Sequence, residues 1–288
     1  MMNDSGVTFE TAKKIRESLQ ADCQKCFGLC CTALNIAVSS DFAINKEAGK
    51  PCPNLMSDFR CQIHRDLREK GFKGCTVFDC LGAGQMVSQV TFNGQDWRES
   101  PEVAEKMFRV FPIMEQLYEM IAYVAEALSY KVSRTLFEKL NTQLEQLNML
   151  TRLEADELLS INITLYRLPV NELLLKTSEA IRHDLMEKMY KSKKIKERNY
   201  RVVDWIGKNL NGKDLRGADL RGAYLIAAQL KNADLRGVDF IGADLRDADF
   251  SGADLSTSMF LTQMQMNSAK GNEATILPSY LPRPSHWI

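Results

Sequence analysis

The chemistry in this sequence is concentrated in its sulfur. Eight cysteines stand at Cys23, Cys26, Cys30, Cys31, Cys52, Cys61, Cys75 and Cys80, and none follows in a chain of 288 residues. A Cys-x2-Cys turn such as Cys23–Cys26 sets two sulfurs on one side of a tight loop, where both reach one ion and backbone N–H groups can donate to them. Thiolates select zinc, Cu(I) or iron–sulfur clusters over hard cations. Eight of them suffice for two four-sulfur sites. Cys30 and Cys31 point in different directions in any regular backbone, so they serve different sites or one is a spectator. Clustered cysteines in a reducing compartment are more often metal ligands than disulfides. Redox disulfides and ordinary buried thiols are the alternative readings.

The remaining candidates are weaker. His64 follows Cys61 by three and so shares a helical face with it, but it reads as a surface histidine. His183 falls on the polar side of a helix and His286 in the tail, so the three histidines do not suggest a triad. Gly82-Ala83-Gly84 is too short for a nucleotide loop and reads as a loop packed near the cysteines. Asp41, Glu69 and Asp79 read as ordinary acids.

Lys plus Arg equals Asp plus Glu at 37 each, so no long-range field favours nucleic acid or an anionic membrane as partner. Met1 to Glu10 lacks the basic patch, apolar run and cleavage site of an export signal. The most apolar stretch, Ile113 to Tyr130, holds Glu115, Glu119 and Glu126 and reads as a buried helix rather than a membrane span. The expected compartment is the cytoplasm.

The elements around the cysteines follow from periodicity. Phe9, Ala12, Ile15 and Leu19 predict a short amphipathic helix within residues 8–21, and Leu34, Ile36 and Val38 a short strand. Ser100-Pro101-Glu102 starts a helix, which Pro112 should break or kink. Apolar stripes at Ile113, Leu117, Met120, Val124 and Leu128, and at Leu136, Leu140, Leu144 and Leu147, read as core packing. Thr151 with Glu154 suggests a capping box. Pro169 should end one element and Asn171 cap the next, and the basic run Lys191 to Arg201 marks a linker. The expected domains are 1–98, a cysteine-cluster metal-binding domain; 99–200, a helical domain or linker; and 201–288, a repeat domain with a C-terminal cap.

From Leu210 the period changes to five. Leu210, Leu215, Leu220, Leu225, Leu230, Leu235, Phe240, Leu245, Phe250, Leu255 and Phe260 recur without a slip, most with a small residue two positions before, such as Ala218, Ala223 or Ala253. Neither a helix nor a flat strand keeps every fifth residue on one face. A chain turning a corner every five residues does, and four faces make a square coil. This pattern resembles the pentapeptide-repeat family, which implies a right-handed quadrilateral β-helix. Thr262 should cap a helix over Gln263 to Lys270 with Gly271 as its stop, and the tail ending His286-Trp287 should form a lid.

Some members of that family protect DNA gyrase by mimicking duplex DNA, which takes a long acidic rod. Here eleven units make a solenoid on the order of 13 Å tall at about 4.8 Å per stacked strand. Residues 201–260 carry nine acids against eight bases. Target protection of the gyrase type is therefore disfavoured.

The cysteine region resembles the bacterial family of zinc- or iron-chelating cysteine-cluster domains. The matching features are Cys23-x2-Cys26-x3-Cys30-Cys31, Cys52-Pro53-Asn54-Leu55, Cys61-x-Ile63-His64 and Cys75-x2-Phe78-x-Cys80. His64 stands where the family often has Tyr, and Asp66-Leu67 replace its Arg-Pro pair. Flagellin lysine methylases carry a similar cluster, for which the resemblance implies an iron–sulfur centre and methyl transfer. It favours an iron–sulfur cluster over zinc. The whole chain is similar to bacterial proteins joining this cluster to pentapeptide repeats, a set with no established activity.

The expected fold is thus multidomain α+β: a small Cys-rich metal-stapled module, a helical middle region and a C-terminal pentapeptide-repeat solenoid. The expected function is metal binding, with a protein partner met through the solenoid. The alternative is a cluster-dependent redox or methyl-transfer enzyme.

Overall fold

A computed structural model describes residues 8–190 and 198–287. The basic run expected to be a linker lies largely outside the described residues, as do the first seven positions. The chain divides into two compact units, Met1–Ser129 with Ser133–Leu174, and Tyr130–Val132 with Leu175–Ile288.

In the first unit, helix α1 spans Phe9–Ser18, with the Thr8 side chain accepting from the Thr11 N–H at its start. The cysteines then run through short pieces: a 3₁₀ turn at Cys23–Lys25, α2 at Leu29–Thr32, α3 at Lys73–Val77 and α4 at Ala83–Met86. The strand expected at Leu34–Val38 reduces to a single antiparallel bridge, Ile36 with Lys46. Val38 is 60% exposed, so the alternation there marks no buried face.

Helix α5, Pro101–Leu128, is the core of this unit, burying Met107, Val110, Phe111, Met114, Leu117, Ile121, Val124 and Leu128. The Ser100 side chain caps it by accepting from Val103. It runs through Pro112 without the break that was one of the two expected outcomes. Burying the side chains on both sides of the proline stabilises the helix by more than the roughly 3 kcal/mol the proline costs. Helices α6, Arg134–Leu150, and α7, Ala155–Ser160, pack against α5. The capping box falls three residues later than expected. Thr151 ends α6, and the Glu154 N–H donates to the Glu157 carboxylate at the head of α7.

Pro169 and Asn171 likewise begin nothing, because α8 runs continuously over Ile163–Tyr190. Leu165, the residue whose carbonyl the proline leaves unpaired, is 65% exposed, so water can satisfy it. No described helix is long and apolar enough to cross a membrane.

The second unit is the repeat. Parallel bridges join residues twenty apart, Asn199 to Asp219, Asp204 to Tyr224, Asn209 to Gln229 and Asp214 to Asp234, and so on to Asp239 with Met259. Twenty residues per coil is four five-residue faces. Leu220, Leu225, Leu230, Leu235, Phe240 and Phe250 are fully or almost fully buried, as are Ala218, Ala223, Ala228 and Ala253 beside them. From Tyr200 to Phe250 each turn falls two residues after the large core residue and is left-handed, at Gly212 and Gly237 as at Val202 and Asn232.

The solenoid begins earlier than the period suggested. Tyr200 and Trp205 occupy the leucine register, their rings 4.8 Å apart, with Trp205 8% exposed. Aromatic rings replace the leucines at this end, with Val203 packed two residues before Trp205. At the other end α9, Gln263–Ser268, carries the capping box of Thr262 and Gln265. Gly271 is not a left-handed stop. A Cβ there would meet the Trp287 ring at 2.3 Å, so glycine is needed for the tryptophan to lie on the backbone. The Trp287 indole N–H donates to the Ala269 carbonyl, closing the lid.

Candidate metal centre

All eight cysteines are free thiols. Two of them sit in matching turns. Cys26-Phe27-Gly28 and Cys80-Leu81-Gly82 both place a left-handed glycine two residues after the sulfur, at the start of α2 and of α4. The Gly28 and Leu29 N–H groups are directed at the Cys26 sulfur, with the Ser88 hydroxyl beside it, and the Gly82 and Gly84 N–H groups at that of Cys80. Gly84 lies between them: a Cβ there would stand 2.8 Å from Cys26 Sγ and 3.6 Å from Cys80 Sγ. The Gly82–Gly84 loop is thus packed on the cysteines, as expected, and supplies donors that the motif did not reveal.

Ser88, which the sequence did not single out, binds this corner together. It accepts from the Phe27 N–H at 3.1 Å and donates to the Gly84 carbonyl at 2.9 Å. Gln85 accepts from Asp22 and donates to the Gln20 carbonyl, while the Trp97 indole donates to Phe27.

Electrostatics sorts the thiols. Burial raises Cys23, and Cys26, Cys31, Asp22 and Asp79 raise it further. Burial pushes Cys80 up to about 11, with Cys26 and Asp79 adding to the effect. Burial pushes Cys75 up to about 12, reinforced by Cys31, Cys52 and Cys61. Cys61 is raised chiefly by burial, then by Cys31 and Cys52, while the Ile63 N–H opposes the shift. Cys30 donates its S–H to Cys31, which raises Cys30 and lowers Cys31. Cys30 also feels Cys26 and Cys23.

The long loop between Cys31 and Cys75 is tied down locally. The Cys52 N–H donates to the Cys31 carbonyl at 2.9 Å, and the Gly74 N–H to Asp41 at 3.0 Å, with the Phe42 ring lying over Gly74. Lys46, also absent from the sequence reading, is 6% exposed. Its ammonium lies among the carbonyls of Thr32, Leu34, Glu47 and Lys50. Desolvation lowers its pKa, while Cys52, Cys31 and Cys30 oppose the shift.

Among the described residues no three His, Cys, Asp or Glu side chains converge at metal-ligand distance on one point. The thiols are unpaired, with N–H groups directed at Cys26, Cys61 and Cys80 and the buried Lys46 ammonium beside Cys30, Cys31 and Cys52. His64 is exposed; His183 reaches Glu187 at 4.0 Å and His286 reaches Ala269 at 3.0 Å, each apart from the cysteines in sequence and role.

On the solenoid, Arg and Asp pair with each other. Arg216, Arg236 and Arg246 each bind the aspartate two positions earlier, at 2.9, 2.6 and 2.6 Å. Arg216 also reaches Asp234, and Arg236 reaches Asp254, on the next coil. The carboxyls of Asp214, Asp234 and Asp244 are held below the usual range, first by these arginines.

Comparison with known proteins agrees with this architecture. The pentapeptide-repeat pattern matches residues 206–237 and 223–258, with eight copies. Protein YybG of Bacillus subtilis (strain 168), described as uncharacterized, is 57% identical over 273 residues, covering 95% of this chain and 96% of its own. The chain belongs to the same family as YybG and is a pentapeptide-repeat protein. Among solved structures, a pentapeptide repeat protein from Nostoc Pcc 7120 is 30% identical over 33% of this chain and 84% of its own, with a TM-score of 0.23. One from the thylakoid lumen of Arabidopsis thaliana is 29% identical over 26% of this chain and 50% of its own, with a TM-score of 0.22. Both likenesses cover only a minor part of this pentapeptide-repeat chain, and the cysteine module has no counterpart in the matched repeat pattern.

Proposed function

We propose that this pentapeptide-repeat protein binds metal through its cysteine module and meets a protein partner through its solenoid. The observation that carries the metal reading is the gathering of eight unpaired thiols into one small region, with backbone N–H groups already directed at Cys26, Cys61 and Cys80. Cys23, Cys26, Cys30, Cys31, Cys52, Cys61, Cys75 and Cys80 would hold an iron–sulfur cluster or zinc. The resemblance to chelating cysteine-cluster domains supports the first. Such an ion supplies the cross-link that the short helices α2, α3 and α4 lack, since few side chains between residues 23 and 82 are fully buried.

For the solenoid, the face carrying Tyr224 supports docking. Tyr224 is 46% exposed, and Ile206 and Val202 near it are exposed as well. The self-paired Arg–Asp ladders leave little unbalanced charge for DNA mimicry. An enzyme would need a cleft beside the cysteines. A cleft of about 300 Å³ lined by Thr91, Phe92, Glu102 and Lys106 includes none of them.

Anaerobic purification followed by an absorption spectrum and elemental analysis tests the metal reading. Bound iron with sulfide, or stoichiometric zinc, is the expected result. A chain that carries neither, and takes up neither when reduced, overturns it.

A further inference from the structure

We propose that the first coil of the solenoid, residues 198–217, takes an acidic extended segment of a partner protein along its unpaired backbone edge. This rests on the solenoid being the protein-binding part, as read above, and adds a place and a partner chemistry.

The two ends of the solenoid differ. At the last coil the Phe250 and Leu255 N–H groups donate to the carbonyls of Lys270 and Ile276. At the first coil the opposite edge has no such cover among the described residues. One coil on, Tyr224 and Gln229 pair both their backbone groups with the coil before, and the Ile226 and Lys231 carbonyls accept from it as well. Their counterparts in the first coil are the N–H and C=O groups of Asp204 and Asn209 and the carbonyls of Ile206 and Asn211. These meet no hydrogen-bond partner among the described residues, and all four residues are exposed. A bare edge of this kind is a template for another strand. The adjoining face shows that its acceptors take donors from outside the ladder. The Arg198 guanidinium donates to the Asp214 and Arg216 carbonyls at 2.7 and 3.2 Å, where the next coil uses backbone N–H groups.

Charge selects the strand. Lys208 and Lys213 stand in the small-residue register, twenty residues before the buried Ala228 and Ala233. An inward register is exposed only at an open end. Both lysines are exposed, with the Lys208 ammonium 5.0 Å from the centre of the Trp205 ring, and neither pairs with an acid among the described residues. Residues 198–217 hold five bases against two acids, whereas residues 238–257 hold five acids against one base. Lysines at an edge repel a basic strand and admit an acidic one. A second copy does not fit. It offers another basic first coil, or an acidic last coil whose edge Lys270 and Ile276 already pair.

The test titrates the full chain into an end-blocked, fluorescent, alternating Glu-Val octapeptide by anisotropy, and follows backbone amides by NMR hydrogen exchange. Binding that weakens with salt, is absent for the Lys-Val analogue, and slows exchange at Asp204 and Asn209 is expected. Lys208→Gln/Lys213→Gln should keep the melting temperature and weaken binding roughly fivefold. No binding, or equal binding of the Lys-Val peptide, means that the lysines only block pairing; it overturns the proposal and leaves the face carrying Tyr224 as the docking surface. Binding unchanged by the lysine variant, or without slowed exchange at Asp204 and Asn209, overturns it as well. If Tyr224→Ala then abolishes that binding, the face carrying Tyr224 stands. Protection of Asp204 and Asn209 in the chain alone also overturns it, a dimer by sedimentation naming a second copy as the occupant and a monomer naming the chain itself.

Discussion

In the solenoid a core leucine meets its partners five or twenty residues away, and the same arrangement repeats coil after coil. In the cysteine module Phe27 finds Ser88 sixty-one residues on, and Asp22 finds Gln85 sixty-three on. The solenoid is a sum of near-neighbour interactions, each supplied by the local sequence. The cysteine module closes long loops with few buried side chains, and loop closure must be offset by something stronger than van der Waals contact. That difference gives the solenoid repeated local support and leaves the cysteine module resting on a few long-range contacts.

The largest effect expected is from metal removal. Chelation under reductant should make residues 23–82 protease-sensitive and fast-exchanging while the solenoid amides stay protected, because thiolate–zinc binding supplies about 10–16 kcal/mol in small structural sites. Equal protection of both regions by hydrogen exchange would break the comparison. Next, Phe240→Ala opens a cavity where Phe240 stacks edge-on against Phe250 at 6.3 Å. It should cost about 3–5 kcal/mol in denaturant unfolding. A loss spread into the first unit would show that the solenoid does not unfold by itself.

A smaller effect separates the units by pH. Burial, helped by Glu119, pushes Glu115 of α5 up to about 7. Its folded pKa exceeds the unfolded one, so this stabilisation is complete below about 4.5 and is lost as pH rises through 7. Glu115→Gln should remove roughly 2 kcal/mol of that pH dependence from the first unit and none from the solenoid, read as melting temperature across pH 4 to 8. The smallest change is a gain. Val202 holds a left-handed turn at φ 53° with an exposed side chain. Val202→Gly should stabilise the solenoid by about 1 kcal/mol in the same assay.

The regular part of the molecule was legible because its rule is local. The large core positions from Leu210 to Leu255 follow from the period of five, and the core then takes Leu261 where the period gives Phe260. At Tyr200 and Trp205 the register continues with aromatic rings in place of leucine, and Gly271 answers to Trp287 rather than to its own backbone. The helical misreadings share one cause. Pro112 and Pro169 read as breaks when only local cost is weighed, yet burial along α5 and solvent at Leu165 outweigh that cost.

For the candidate site, residue type and spacing pointed to thiol chemistry, with Cys30 and Cys31 serving different sites or one of them a spectator. Nothing in the spacing separates the remaining cysteines into groups, and nothing marks Ser88 or Lys46 as neighbours of sulfur. The sequence by itself determined the repeat and the positions of the eight thiols, since both depend on which residue stands at which position. Which thiols face one another, and which of them lie beside a buried ammonium or beside Asp79, depends on where loops of twenty to sixty residues close, and only the tertiary structure decides that.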